Sequence, residues 1–214
     1  MTTCSFDLGH YRELLHAAQE GGYRFATFDE EPTPGALFLR HDVDLSLDAA
    51  VRMAELEAEV GAPATYFLMN QSVFYNLASA EGTATIARLR ELGHRVGHHA
   101  VFPEAILEER LDMVLAWHNP DPEYMTAPVD GAVNVMAAPY FAPETYRSDS
   151  NQHWRHGCPH HELHAGAFPW LQLLTHPEIW VYEGATMAET MRSLLETEHA
   201  RRVDQLRADR IDIA

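Results

Sequence analysis

Charged side chains follow an apolar run in LFLRHDVDLS, residues 37–46, where Arg40, Asp42 and Asp44 are the chemically useful groups. Two acids that are two residues apart project to the same side of an extended chain, so that one can bind a metal ion while the other accepts a proton. A charge at the end of a buried strand has to be paired or used. The alternative is a solvated turn or a helix cap, and this short pattern alone does not choose between the two.

Histidines follow later apolar runs, and the chain has 14 of them. In LGHRVGHHAVF, His94 and His98 share one face of an extended segment and His99 lies on the other, so only one face can address a metal ion. His118 in WHNP and His176 in LLTHP also come where an apolar run ends. Imidazoles beside a carboxylate, with one position open, are typical of a catalytic metal site. The alternative for each histidine is a surface, core or turn residue without chemistry.

A second histidine-rich segment is RHGCPHHELH, residues 155–164. Its His160 and His164 have the i, i+4 spacing of ligands on a helix, but the preceding glycine and proline favour a mobile lid with incidental histidines. The two cysteines of the chain, Cys4 and Cys158, are far apart and form no CxxC pattern. We therefore expect free thiols, and neither a disulfide framework nor a thiolate zinc site is predicted.

Apolar periodicity places these residues on alternating strands and helices. This alternation predicts an α/β fold with a parallel sheet or barrel, in which functional residues gather at the carboxyl ends of the strands. The predicted strands are 36–42, 64–69, 94–100, 113–118 and a segment that ends at His176, and the predicted helices are one that stops at Gly21–Gly22, then 47–60, 83–93, 103–111 and 186–208.

A proline-rich stretch interrupts the alternation at about 119–166. It has few periodic runs, and we expect it to form long loops over the site. The closing helix at about 186–208 has Thr186 as its expected cap. Because no internal repeat or interdomain linker is found, the chain is predicted to form one domain over residues 1–214.

The charge balance restricts the partners. Lys and Arg number 15 against 32 Asp and Glu, a formal net charge of -17, so the average field repels nucleic acid and anionic membranes. The N-terminus lacks a basic and apolar leader, and no segment approaches about 20 uninterrupted apolar residues. The sequence therefore predicts a cytoplasmic protein with no membrane insertion and no nucleic-acid partner, and it leaves the oligomeric state open.

Three stretches together resemble the polysaccharide deacetylase family, also called the NodB-homology family or carbohydrate esterase family four. They are RHDVDLSLDAAVRMAELEAEVGAPATYFLMN, LGHRVGHH and LQLLTHP, and the resemblance covers roughly residues 36–180. The first motif reads HDVD where better-known members have TFDD, which resembles a branch associated with bacterial surface-polysaccharide or O-antigen biosynthesis. The resemblance implies a distorted (β/α) barrel of the NodB type.

The resemblance also implies roles for single residues. In the family the first acid of the opening motif is the catalytic base and the second binds the metal, which correspond to Asp42 and Asp44 here. His99 matches the first histidine ligand of the second motif. His176, in the last motif, takes the role of the general acid.

The third metal ligand departs from the family pattern. The family's second histidine ligand would fall at Pro103, so this ligand has to come from elsewhere. His118 and His98 are the candidates, and WHNP lies where the family has its third motif. The metal implied is zinc, with cobalt, nickel or manganese as alternatives.

Further residues are nominated for orientation and substrate binding. SDSNQHW is similar to the segment of the family that lines the groove and orients the base, which nominates Asp149 and Trp154. Arg40 is expected to hold Asp42 ionised and to reach the substrate. Tyr140, like Trp154, is a candidate for stacking on sugar rings, and plain packing is the alternative.

The implied reaction is hydrolysis of an N-acyl group. The expected substrate is an N-acetylated or N-formylated sugar or polysaccharide precursor, nucleotide-linked and lipid-linked forms included. Two alternatives stay open at this point. One is a catalytically degenerate protein that binds sugar or serves assembly on the same fold, and the other is an amidohydrolase of a small non-sugar C–N substrate.

Overall fold

The computed structural model describes residues 4–102 and 108–212. The strands in these ranges are β1 (Arg24–Ala26), β2 (Ala36–Val43), β3 (Thr65–Leu68), β4 (Arg95–Ala100), β5 (Val114–Trp117), β6 (Val133–Asn134), β7 (Tyr146–Ser148) and β8 (Leu171–Thr175). The helices are α1 (Leu8–Glu20), α2 (Leu47–Val60), α3 (Ala80–Glu91), α4 (Pro122–Met125), α5 (His160–His164), α6 (Pro177–Val181) and α7 (Met187–Ala208).

The strands form one parallel sheet in the order β6-β5-β4-β3-β2-β8-β7. β1 pairs with the first half of β2, and β3 pairs with its second half. Within the described ranges the outer strands β6 and β7 do not pair with each other, so the curled sheet stays open. This confirms the predicted α/β fold as a distorted barrel that does not close.

Strand β2 shows how the sheet positions functional groups. All eight of its residues are buried, because helices cover one face and the interior of the curl covers the other. Leu37 and Leu39 pack in the apolar cluster that includes the helices, whereas Phe38 packs in a separate cluster inside the curl. Since side chains alternate along a strand, Arg40 and Asp42 project to the same interior side as Phe38.

Polar side chains cap the starts of the long helices. The side chains of Asp7 and Ser46 accept backbone N–H groups at the starts of α1 and α2. Thr186 and Glu189 form a reciprocal capping box at α7, and α2 ends at Gly61 with φ of 70°, a left-handed conformation that favours glycine. No helix within the described ranges is both long and apolar enough to cross a membrane.

Two predicted helices differ from the structure. Helix α3 begins three residues earlier than expected because Ser79 accepts a hydrogen bond from the backbone of its first turn. Of the predicted helix 103–111, residues 103–107 lie outside the described ranges, and 108–111 form a turn rather than a helix. The side chain of Arg110 holds this turn through hydrogen bonds to its neighbours.

The stretch at 119–166 contains more regular structure than its composition suggests. It carries the short strands β6 and β7, which extend the two ends of the sheet, and the short helices α4 and α5. Elements of two to five residues are too short to show a period in the sequence, and they form because neighbouring strands supply their hydrogen-bond partners.

A buried polar cluster lies between the sheet and helices α1 and α2. Glu57 of α2 is fully buried and accepts hydrogen bonds from the hydroxyls of Tyr11 and Tyr66, both at 2.6 Å. Nε2 of His41 lies 2.7 Å from Glu57 Oε1, in a close but poorly aligned contact, and its Nδ1 lies 2.7 Å from the hydroxyl of Thr175. Burial alone would raise the pKa of Glu57, but His41 lowers it. His41 therefore belongs to this buried cluster, on the face of β2 that the helices cover.

We expect Glu57→Ala to lower the free energy of unfolding by about 3–5 kcal/mol, because it leaves a buried imidazole and two hydroxyls without their acceptor. Glu59→Ala is the matched control on the same helix, since Glu59 is exposed and forms a surface ion pair with Arg12. Loss of this surface ion pair should lower the free energy of unfolding by less than about 1 kcal/mol. Denaturant unfolding measures both variants, and equal losses would contradict a stabilising role for the buried cluster.

Candidate active site

Three strand ends bring Asp44, His99 and His118 to one point, and these residues are named the Asp44 group here. Asp44 follows β2, His99 lies in β4 and His118 follows β5. Asp44 Oδ1 is 3.0 Å from His99 Nε2 and 3.1 Å from His118 Nδ1, and the two nitrogens are 3.1 Å apart. The ligand atoms of one zinc ion, each about 2.0–2.2 Å from the metal, lie this close together.

The hydrogen bonds around the Asp44 group fit a cation. Nδ1 of His99 donates to the carbonyl of Ala116 at 3.0 Å, which leaves the lone pair on Nε2 directed at Asp44. Asp44 Oδ1 is buried and makes no well-aligned hydrogen bond within the described residues, despite its two close nitrogen neighbours. Burial alone would raise the pKa of Asp44, but His118 and His99 lower it. The carboxylate is therefore ionised, as a metal ligand has to be.

Asp42 lies beside the Asp44 group as the partner of Arg40. Arg40 donates from Nε to Asp42 Oδ1 at 2.8 Å and from Nη2 to Oδ2 at 2.6 Å, with both side chains buried. Arg40 also donates to Gln172 at 3.3 Å, and Asp42 Oδ2 is 3.8 Å from His99 Nε2. Burial alone would raise the pKa of Asp42, but the charge of Arg40 lowers it. Asp42 is thus an ionised and oriented proton acceptor.

An imidazole supported by a carboxylate lies on the other side of β2. His176 follows β8, and its Nδ1 is 2.6 Å from Oδ1 of the fully buried Asp149. The other oxygen of Asp149 accepts from the backbone of His176 at 3.0 Å and from the indole of Trp180 at 2.7 Å. Burial alone would lower the pKa of His176, but Asp149 raises it to about 10. His176 is therefore a protonated donor at neutral pH.

We expect Asp149→Asn to move the alkaline limb of the pH–rate profile to lower pH. In the role of general acid that the resemblance implies, His176 would be active below its pKa, so activity would be lost as the pH rises through about 10. Asparagine removes the negative charge, and the pKa of His176 then falls toward the ordinary histidine value of about 6.5. The dependence of kcat on pH measures this. Trp180→Phe keeps the charge and should move the limb less, and an unmoved limb in Asp149→Asn would contradict the assignment.

One cavity of about 540 Å³ connects these groups. Its wall includes the Asp44 group, Arg40, Asp42 and His176. The volume falls within the range of small-molecule sites, about 300–1,000 Å³. A ligand in this cavity would reach the candidate base, the candidate acid and the Asp44 group together.

The cavity also has an acidic donor and an apolar rim. Glu178 is buried in the wall, where burial raises its pKa to about 8, and its Oε2 has no hydrogen-bond partner within the described residues. At neutral pH it is therefore mostly protonated and can donate to a ligand. Val73, Phe74 and Val101 form an exposed apolar rim, with Val73 91% exposed.

Two further histidines, His94 just before β4 and His98 within it, point away from the Asp44 group. His94 is buried and contacts the backbone of the neighbouring strand and helix. His98 is buried, with a pKa lowered by burial, and does not belong to the ligand group. Pro103 lies outside the described ranges. Of the two candidates for a third ligand, the structure brings His118 to Asp44.

The structure places Trp154 and Tyr140 away from the cavity wall. Trp154 is buried against Phe6 and Trp180, with ring centroids 6.2 Å apart in both pairs. Tyr140 packs inside the curl against Phe38, with centroids 5.7 Å apart. Both rings have packing partners in place of a position facing a ligand, so we assign them no substrate contact.

Some residues around the cavity differ in role from the sequence expectation or were missed by it. Asp149 was expected to orient the base, but the structure pairs it with His176 instead of Asp42. Trp180 was missed, although HPEIW places it four residues after His176, which is the spacing of side chains on one helix face. Glu178 carries no such signal, because an acid after a proline at a helix start looks like an ordinary first-turn residue.

Comparison with known proteins finds distant structural likenesses. Neither the protein-family models nor the curated proteins match the sequence. A Bdellovibrio bacteriovorus peptidoglycan deacetylase matches with 16% identity over 93% of this chain and 55% of that chain, at a TM-score of 0.43. The Streptococcus pyogenes deacetylase PplD, in complex with acetate, matches with 10% identity over 90% of this chain and 89% of that chain, at a TM-score of 0.42. The chain thus spans about half the length of the first of these proteins, and matches at this level assign no activity.

Proposed function

We propose that this protein is a metal-dependent hydrolase that removes an N-acetyl or N-formyl group from an amino sugar or a polysaccharide precursor. One observation carries the proposal: the Asp44 group, the Asp42 carboxylate and the His176 imidazole line the same cavity. A cation site, a proton acceptor and a proton donor are what hydrolysis of an unactivated amide requires. The resemblance carried by HDVD, LGHRVGHH and LLTHP supports an N-acyl sugar as the substrate.

Each side chain has a defined task in this reaction. A divalent ion in the Asp44 group, zinc or else cobalt, nickel or manganese, would polarise the amide carbonyl and favour ionisation of water. Asp42 accepts the proton of the attacking water, and Arg40 holds the carboxylate ionised and in place. His176 donates a proton to the departing nitrogen so that it leaves as a neutral amine. Asp149 orients His176 and stabilises its protonated form.

The charges of the cavity support a neutral acylated group as the part of the substrate that enters it. Among the described lining residues Arg40 is the one Lys or Arg, and its guanidinium is already paired with Asp42. A phosphate of a nucleotide or lipid carrier would find no free guanidinium or ammonium there, so a carrier would lie beyond the rim. The resemblance carried by the HDVD motif supports a place in bacterial surface-polysaccharide biosynthesis.

Acyl release tests the proposal. The full chain is stripped of metal, reloaded with Zn²⁺ and offered N-acetyl and N-formyl amino sugars in free, nucleotide-linked and lipid-linked forms, with an N-acetyl amino acid as the non-sugar amide. We expect release of acetate or formate from the sugars only after reloading, and little from the amino acid. Preferential hydrolysis of the amino acid would favour a small-molecule amidohydrolase. Sugar binding without turnover would favour a degenerate binding protein, and either result would contradict the proposal.

A further inference from the structure

A second group of metal-binding side chains lies outside the cavity, at the contact between helices α1 and α5. Its members are Cys4, just before α1, His10 in α1, and Cys158, just before α5, and they are named the Cys158 group here. One ligand atom from each lies within 4.8 Å of the others. His10 Nε2 is 3.2 Å from Cys158 Sγ. The fold thus brings together two thiols that are distant in the sequence, where their spacing predicted no zinc site.

The second ring nitrogen of His10 is arranged as in metal-binding histidines. Nδ1 of His10 is 2.9 Å from Oε2 of Glu13, one helical turn later. When Nδ1 donates to this carboxylate, Nε2 is the nitrogen that can offer a lone pair beside Cys158. A carboxylate behind a histidine is the usual outer contact at zinc sites, where it fixes the tautomer and strengthens the ligand.

Hydrogen-bond donors surround both sulfur atoms. Cys158 Sγ lies beside His10 Nε2 and the backbone N–H of His160. Cys4 lies beside the thiol of Cys158 and the indole of Trp154. That indole N–H makes no well-aligned hydrogen bond within the described residues, so a thiolate at Cys4 would supply its acceptor.

We propose that Cys4, His10 and Cys158 bind a second, structural metal ion, a zinc ion, that ties the segment before α1 to the loop before α5. Two thiolates and an imidazole select Zn²⁺ over cations such as Mg²⁺ and Ca²⁺ that prefer oxygen. A structural zinc site has four ligands. We assign the fourth position to His160, whose ring centroid lies 5.9 Å from that of His10.

The position of this ion links it to the packing behind the general acid. Phe6, between Cys4 and α1, packs on Trp154 and on Trp180, with a centroid distance of 5.2 Å to the latter. Trp180 in turn donates to Asp149. An ion that holds Cys4 against the loop of Cys158 would therefore stabilise the wall on which Asp149 is fixed, without touching the reacting groups.

Titration with Co²⁺ tests the Cys158 group separately from the Asp44 group. Cobalt bound by thiolates absorbs in the near ultraviolet through sulfur-to-metal charge transfer, which a site built from oxygen and nitrogen cannot produce. With the reduced, metal-free full chain we expect this band to saturate at one equivalent and to disappear when Zn²⁺ is added. The band should persist in Asp44→Asn and be lost in Cys4→Ser and in Cys158→Ser.

A pair of variants on α1 sharpens the test. Glu13→Gln should weaken cobalt binding about 10–100-fold, as loss of such an outer contact does, while His16→Asn, an exposed histidine on the same helix, should leave it unchanged. Circular dichroism checks the fold, and Glu13→Gln carries the test if a cysteine variant does not fold. The proposal is overturned if the reduced wild type shows two free thiols but no charge-transfer band, or if the band survives in Cys158→Ser. Either outcome leaves the hydrolase proposal untouched, because sulfur alone produces the signal.

Discussion

Asp44→Ala is expected to remove one equivalent of bound metal per chain and to lower kcat/KM by at least about a thousandfold. The carboxylate oxygen lies 3.0 and 3.1 Å from the two imidazoles of its group, so its loss removes one of the three ligands. A catalytic metal contributes several kcal/mol of transition-state stabilisation, and each 1.36 kcal/mol is about tenfold in rate. Elemental analysis and the rate of acyl release measure the two effects in the same preparation.

Two neighbouring histidines on β4 provide the matched control for this result. His99→Gln should lose the same equivalent of metal and the same activity, because His99 belongs to the Asp44 group. His98→Gln changes the preceding residue, whose side chain lies on the opposite face of the strand. This variant should retain both the metal and the activity. Metal retention in Asp44→Ala, or equal losses in the two histidine variants, would rule out the metal site as placed.

Asp42→Asn is expected to lower kcat about 10²–10⁴-fold while the Asp44 group keeps its metal, since general-base catalysis contributes about that much. The same change should cost about 3–5 kcal/mol in the free energy of unfolding, because the guanidinium of Arg40, only 2% exposed, loses its carboxylate partner. Metal content, steady-state kinetics and denaturant unfolding separate these effects.

The double variant Arg40→Met with Asp42→Asn distinguishes the chemical from the structural role of Asp42. Removing both charges takes away the uncompensated buried cation, so stability should recover in part relative to Asp42→Asn. Activity should not recover, since no proton acceptor has been restored. A double variant that regained activity along with stability would show that Asp42 acts through folding and not as the base.

The local parts of the fold and site could be predicted from particular residues. The apolar run of ALFLRHD predicts β2, and the alternation of side chains along a strand places Asp42 and His41 on opposite faces, as the structure shows. The capping side chain Thr186 marks the start of the closing helix correctly. Short strands such as β7 were missed because three residues show no period, and they exist only through pairing with a neighbour.

The partners of site residues could not be predicted in the same way. Alternation showed that only one face of HRVGHH can address a metal, but choosing His99 depends on which face of β4 turns to the interior of the curl. Asp149 was nominated by similarity, yet its partner is His176, because β7 lies beside β8, which separates it from β2, the strand of Asp42. The same holds for Cys4 and Cys158, which the contact of α1 with α5 brings together.

By itself, the sequence determined the acids and histidines at the strand ends, the alternation that places Asp42 and His41 on opposite faces of one strand, and the α/β class. These features depend on interactions within a few residues, where side-chain direction and capping follow directly from backbone geometry. The tertiary structure alone decided that His118 joins Asp44 and His99, that Asp149 supports His176, and that two distant cysteines share a histidine. Such contacts are set by strand order and helix packing, which arise from burial of apolar surface across the whole chain and leave no spacing to read.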